Sequence, residues 1–127
     1  MNYHYTVQTE KSFADAVNAV TSETAKMGYR VLHVHDVRET LEFKGFKIGN
    51  LKIIEVCNAK HASELLQKEL KMSLFMPCRI SVYDREGKTY ISSMNTETIS
   101  EMVPGLDFRD LAAQVNKQLE TIVDNAR

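Results

Sequence analysis

The sequence predicts an α+β domain of two layers, in which a mixed sheet of about five strands is covered on one face by three main helices. Two observations favour this fold class. Short segments in which apolar and polar residues alternate follow one another along the chain, and longer segments with apolar residues at helical spacing lie between them. The chain of 127 residues is also long enough for one domain with its own core, so we predict a single domain over residues 1–127.

The first elements are a strand, a helix and a second strand. A half-buried strand is predicted over residues 3–8, where Tyr and Val alternate with polar side chains. Ser12 is placed to cap the helix that follows, and Gly28 is placed to end it. A second strand is then predicted over residues 29–37.

The middle of the chain contains one ambiguous segment. Residues 38–44 suit a short helical turn ended by Gly45, although the alternation around that glycine also suits a hairpin. We favour the helical turn. A third strand is predicted over residues 51–57, and Asn58 is a good N-cap for a second helix.

The last third of the chain contains the clearest hairpin. Two predicted strands, at residues 78–84 and 88–95, are separated by a short loop that contains a glycine. Residues 96–103 suit a single helical turn. From Asp107 onward a regular apolar stripe predicts the last main helix. The helix and strand patterns together predict a core in which helix residues pack against strand residues: Phe13, Val17, Val20, Leu66, Leu111, Val115, Leu119 and Ile122 against Val7, Ile54, Val56, Ile80 and Val82.

Charge and composition exclude several classes of protein. Apolar residues make up 43% of the chain and charged residues 26%, as in an ordinary globular domain and unlike a disordered chain. The net charge is −1, so no global field would hold nucleic acid or an anionic membrane, and we predict neither as a partner. We find no apolar run of signal-peptide or membrane-spanning length, and we expect a cytoplasmic location.

Two short motifs resemble a known family. IIEVCN at residues 53–58 leads into a predicted helix, and PCRISVY at residues 77–83 opens a predicted strand. Together they resemble the bacterial domain of unknown function 302 family, over the whole chain, although Ala59 stands where that family often has Pro. The resemblance implies a small domain of helices and strands that is often a dimer, and it implies no activity.

Cys57 is the strongest candidate for chemistry. It directly precedes the predicted N-cap, where free backbone N–H groups and the helix dipole favour a thiolate. His61 lies four positions on and could reach back toward the sulfur, as in thiol activation or half of a soft-metal site. The alternative is a small buried cysteine beside a histidine that faces solvent.

Cys78 is predicted to lie far from Cys57. If residues 51–84 form a parallel crossover, one cysteine ends a strand and the other begins the next. They would then lie at opposite edges of the sheet, roughly 15–20 Å apart, beyond the reach of a disulfide or a shared metal. Antiparallel strands or a dimer would overturn this estimate.

Two further groups are weaker candidates. His33 and His35 share one face of a strand and are possible metal ligands, although two ligands do not make a site. Arg79, Ser81 and Tyr83 share a polar sheet face that could line a ligand groove or meet a second subunit, or could simply face water.

Two hypotheses about function follow. The first is a homodimeric module that binds a small molecule or a partner, supported by a regular core without a convergent catalytic set. The second is a thiol- or metal-dependent protein that uses Cys57 with Cys78 or His61. Walker, GxGxxG, GxSxG, HExxH and CxxC motifs do not occur, and the sequence implies no particular cofactor.

Overall fold

A five-stranded sheet with antiparallel pairing throughout forms one layer of the molecule. The computed structural model describes residues 2–127. The strands and α-helices, in chain order, are β1 (His4–Thr9), α1 (Phe13–Lys26), β2 (Arg30–Asp36), α2 (Val37–Phe43), β3 (Leu51–Cys57), α3 (Ala59–Lys68), β4 (Cys78–Arg85), β5 (Lys88–Met94), α4 (Thr96–Met102) and α5 (Arg109–Ala126). A short 3-10 helix, Leu70–Phe75, follows α3. The strands lie in the order β1-β5-β4-β3-β2.

The predicted α+β class is confirmed, but two details of the prediction are wrong. The sheet is antiparallel and not mixed, because the connection from β3 to β4 returns to the end of the sheet that it left. Five α-helices and one 3-10 helix are present within residues 2–127, instead of three main helices. No helix in this range is long and apolar enough to cross a membrane.

The main core lies between one face of the sheet and the two long helices, α1 and α5. Most of the predicted core is buried there, but Phe13 and Leu111 are only partly buried and Leu66 lies outside it. The residues of the predicted core that the structure buries are Val7, Val17, Val20, Ile54, Val56, Ile80, Val82, Val115, Leu119 and Ile122. We call this face of the sheet the covered face.

A second, smaller apolar cluster lies beside the main core. It is built around Met72, Phe108 and Ala112, with partly buried side chains from α3, α4 and the 3-10 helix against it. Because Ala112 belongs to α5, the same helix contributes to both clusters. A pocket opens in the space between the two clusters.

Caps and turns follow the sequence signals closely. The side chains of Ser12 and Asn58 accept N-cap hydrogen bonds, as predicted. The segment before Gly45 forms the helix α2, and Gly45 itself has a φ of 88°. The predicted helical turn is therefore confirmed, and the alternative hairpin does not form. The last helix begins at Arg109, two residues later than predicted, without a side-chain cap.

Candidate functional site

A pocket with a cavity volume of about 70 Å³ opens at the end of the sheet where β3 stops and β4 starts. It is enclosed by the main core on one side and by the smaller cluster on the other. No aspartate, glutamate, lysine or arginine side chain lines it. The lining residues are Tyr29, Val56, Cys57, Asn58, His61, Ala62, Leu65, Met72, Phe75, Met76, Pro77, Cys78, Thr96, Ile99, Phe108, Leu111, Ala112 and Val115.

The junction of β3 and α3 positions two of the predicted site residues. Cys57 is the last residue of β3. The side-chain oxygen of Asn58 accepts a hydrogen bond of 3.1 Å from the backbone N–H of His61, which fixes the first turn of α3. As a result, Cys57 and His61 both reach the pocket wall.

The predicted separation of the two cysteines is wrong. β3 and β4 are antiparallel neighbours, and Val56 is the register partner of Cys78. Cys57 therefore lies one residue along from the position opposite Cys78, and both line the same pocket. The error came from the assumption of a parallel crossover, which would have placed the cysteines at opposite edges of the sheet.

Burial dominates the electrostatics of both thiols. It raises the pKa of Cys57 above its ordinary value. Burial, together with the nearby Cys57, raises the pKa of Cys78 to about 11, while Arg79 lowers it by less. Burial outweighs the lowering of the thiol pKa that is expected from the N-terminal end of α3. Both cysteines are therefore mainly thiols at neutral pH.

A hydrogen-bonded group that the sequence did not indicate supports the pocket wall. Gln118, on α5, accepts with Oε1 from the hydroxyl of Tyr29 at 2.6 Å and pairs with Nε2 of His61 at 3.1 Å. In the neutral imidazole this places the hydrogen on Nε2 and leaves Nδ1 as an acceptor. Nδ1 is buried and has no hydrogen-bond partner among residues 2–127.

Tyr29 is held neutral in this group. Burial is the main cause that raises its pKa, and the nearby Cys78 and Cys57 raise it further. No local signal distinguishes Gln118 from other polar residues on its helix, because its role depends on how α5 docks against α3.

The chain matches a family model described as "Domain of unknown function DUF302" over residues 5–126. The chain belongs to the DUF302 family. A solved structure, of an uncharacterized conserved DUF302 protein from Bacillus stearothermophilus, is similar to it with a TM-score of 0.90 and 29% identity, covering 98% of each chain. A search of curated proteins finds no match. The resemblance seen in the sequence is therefore confirmed, and it brings no established activity with it.

The two candidate metal-binding histidines of this DUF302 chain lie away from the pocket, on β2. The rings of His33 and His35 meet edge to face with centroids 4.3 Å apart, and Nε2 of His35 lies 2.9 Å from a carboxylate oxygen of Glu55. This contact with His35 is the main cause that lowers the pKa of Glu55. Within residues 2–127, no three His, Cys, Asp or Glu side chains are grouped to hold a metal ion.

The polar face predicted from Arg79, Ser81 and Tyr83 lies on the side of the sheet opposite the main core, and we call it the open face. Tyr83 stacks on Tyr90 of β5 with ring centroids 5.5 Å apart. The hydroxyl of Tyr83 also lies 3.0 Å from that of Ser92. These contacts make the open face an ordered surface in this member of the DUF302 family.

Proposed function

We propose that the protein binds a small uncharged molecule in the pocket at the end of β3. The observation that carries this proposal is the buried, unpartnered Nδ1 of His61 in a wall otherwise dominated by apolar groups. A buried acceptor without a partner costs about 1–3 kcal/mol. A ligand that donates a hydrogen bond to Nδ1 would recover much of that cost.

The size of the cavity limits the ligand. An apolar cavity of about 150 Å³ in another protein binds benzene, and the cavity here is about 70 Å³. The ligand, or the part of it that enters, therefore has only a few heavy atoms. Because the wall shields Nδ1 from water, we propose that the wall adjusts as the ligand enters.

Pyrrole and furan form a matched pair of probes for this site. The two rings have the same number of heavy atoms, but only pyrrole has an N–H donor. We expect pyrrole to shift the backbone amide resonances of pocket residues in NMR titrations at lower concentration than furan. His61→Phe should abolish the preference for pyrrole, because it removes the acceptor.

A second pair of variants tests the location. Ala62→Leu should fill the pocket and block both probes, since Ala62 lines the pocket. Lys60→Leu adds a similar side chain at an exposed position on the same helix and should leave binding unchanged. Equal affinity of pyrrole and furan, or binding that survives Ala62→Leu, would contradict the proposal.

We also propose that two copies associate through their open faces. The support is that half-buried apolar and aromatic side chains, including Ile53 and Tyr83, lie there beside charges of both signs, Glu55 and Arg79. A face with both signs can match itself across a two-fold axis. Two exposed aromatic side chains in the segment after β2, Phe43 and Phe46, at 85% and 66% exposure, offer further apolar area.

Light scattering at tens of micromolar protein tests the dimer. We expect the wild type to have twice the mass of one chain. Ser81→Glu, in the middle of the open face, should shift the mass toward that of one chain, whereas Lys117→Glu, exposed on α5, should not. A wild-type protein with the mass of one chain would overturn this part of the proposal.

Two expectations from the sequence complete the proposal. We propose that residues 1–127 unfold as one cooperative unit, which calorimetry can check against a two-state transition.

We also propose a cytoplasmic location, for which the free thiols of Cys57 and Cys78 are the supporting feature. Immediate alkylation of the protein from lysed cells, without reductant, should find both thiols unmodified by oxidation.

A further inference from the structure

The segment between β3 and β4 covers one side of the pocket. It comprises residues 58–77, which contain α3 and the 3-10 helix, and we call it the flap. Because β3 and β4 are antiparallel neighbours, the flap leaves and rejoins the sheet at the same end, and its first and last residues lie close together. Side chains from both of its helices line the pocket, among them Leu65 and Phe75.

The flap is packed less tightly than the other helices around the pocket. Within α3 no residue is fully buried, whereas α5 has seven buried residues and α4 has two. In the 3-10 helix only Met72 is buried, and Leu70 and Leu74 are mostly exposed. Most of the stability of a protein helix comes from the packing of its apolar face, so the flap has a lower local stability than its surroundings.

The flap is held to α5 and to the residues just before that helix. Nε2 of His61 lies 3.1 Å from Oε1 of Gln118, and Nζ of Lys68 donates a hydrogen bond of 3.2 Å to the backbone carbonyl of Asp107. Met72 is the apolar anchor, because it is buried in the smaller cluster. Within residues 2–127 the main core contains no residue of the flap, so these contacts can break while that core stays intact.

We propose that the flap is a lid that opens as one unit and admits the ligand to the pocket. The inference rests on the proposed ligand function, and it identifies the part of the wall that adjusts when the ligand enters. Opening separates Met72 from the smaller cluster and His61 from Gln118, while β3, β4 and α5 keep the opposite wall in place. The motion belongs to the free protein, so it can be measured before any ligand is added.

Native-state hydrogen exchange of the full chain, in low concentrations of urea, tests whether the flap opens as one unit. The backbone N–H groups of Met72 and Met76 are hydrogen-bonded within the flap and report on its 3-10 helix. We expect these amides and those of α3 to share one shallow urea dependence, with protection at least about tenfold below that of α1. The amides of α1 should exchange through global unfolding, with a steeper urea dependence.

A pair of lysine variants tests the contact with Asp107. Lys68→Met removes the donor without altering the pocket wall, and flap exchange should become about two- to tenfold faster, as expected for the loss of one hydrogen bond. The increase should be the same in α3 and in the 3-10 helix, which a change confined to the end of α3 would not produce. Lys60→Met is the same substitution at another exposed position of α3 and should leave flap exchange unchanged.

Pyrrole connects the opening to the pocket. If the ligand leaves only through the open flap, pyrrole at about ten times its Kd should slow flap exchange about tenfold. The amides of α2 are the control, because α2 has no buried residue and none that lines this pocket. They exchange by local opening, and their rates should be the same with and without pyrrole.

Four results would overturn the inference. They are α3 amides that exchange only through global unfolding, different urea dependences for α3 and the 3-10 helix, equal flap exchange in Lys68→Met and Lys60→Met, or bound pyrrole that leaves flap exchange unchanged. The two proposals are separable. A flap that opens as one unit in a protein that does not bind pyrrole would remove only the proposed ligand function, and pyrrole binding without flap opening would remove only the lid.

Discussion

The two faces of the sheet use the same strands for different purposes. On β5, Ile91 points to the covered face and is completely buried, whereas the next residue, Ser92, points to the open face. The covered face is mostly aliphatic, with Ser93 as a buried polar exception. On the open face, hydrogen bonds link His4 to Thr6 at 2.8 Å and Thr6 to Ser92 at 2.7 Å.

The difference shows where stability resides. Burying an aliphatic side chain contributes about 1.5–3 kcal/mol, whereas a hydrogen bond that replaces one to water contributes about 0.5–1.5 kcal/mol. The covered face therefore holds most of the free energy of folding. The open face is held by weaker contacts, so substitutions there that change what it recognises cost less stability.

Ile91→Ala should have the largest effect on the free energy of unfolding. The substitution removes buried methyl and methylene groups in the middle of the covered face and leaves a cavity. We expect a loss of about 2–5 kcal/mol, measured by urea denaturation. A loss below about 1 kcal/mol would mean that the covered face does not dominate stability.

The pKa of the Cys78 thiol reports how well the end of the covered face is shielded from water. Its pKa is raised from 9.0 to about 11, so its neutral form is favoured in the folded protein. The resulting stability is complete below pH 9 and is lost as the pH rises toward 11, because the unfolded chain releases its proton first.

We expect the wild type to lose about 2 kcal/mol more than Cys78→Ser between pH 8.5 and 11. Urea denaturation at both pH values measures this, and the comparison removes the contributions of groups that titrate alike in both proteins. Parallel loss in the two proteins would show that water reaches this end of the core.

Ser92→Ala should have the smallest effect of the three. Ser92 joins Thr6 and Tyr83 by hydrogen bonds on the open face. We expect a loss of about 0.5–1.5 kcal/mol in the free energy of unfolding, measured by urea denaturation. A double-mutant cycle with Thr6→Ala should show coupling between the two hydroxyls, and a loss as large as that of Ile91→Ala would remove the distinction between the faces.

Local features of the fold were predictable because they depend on neighbouring residues. Residue types at fixed spacing predict the N-caps Ser12 and Asn58 and the end of α2 before Gly45. The hairpin of β4 and β5 was predicted as well. Its turn places Glu86 and Gly87 at positive φ, a conformation that the glycine favours.

The direction of β4 was not predictable, and with it most of the site was missed. Hydrophobic alternation is the same for a strand read in either direction, and residues 58–77 are long enough for a parallel or an antiparallel connection. Cys57 and His61 were identified as candidates, but their proximity to Cys78 needed the strand order. The role of Gln118 needed the docking of α5, which no local pattern encodes.

The position of β1 has a consequence for the order of folding during synthesis. β1 is made before the other four strands of the sheet, yet within residues 2–127 it pairs with β5 alone, and His4 pairs with Met94. The strands from β2 to β5 can pair with their neighbours in the chain as they emerge from the ribosome. In contrast, β1 stays unpaired until its partner residues, about 80–90 positions later in the sequence, have been made. The sheet therefore closes only after β5 has been translated, and until β1 docks on it the edge of β5 stays open to pairing with another chain.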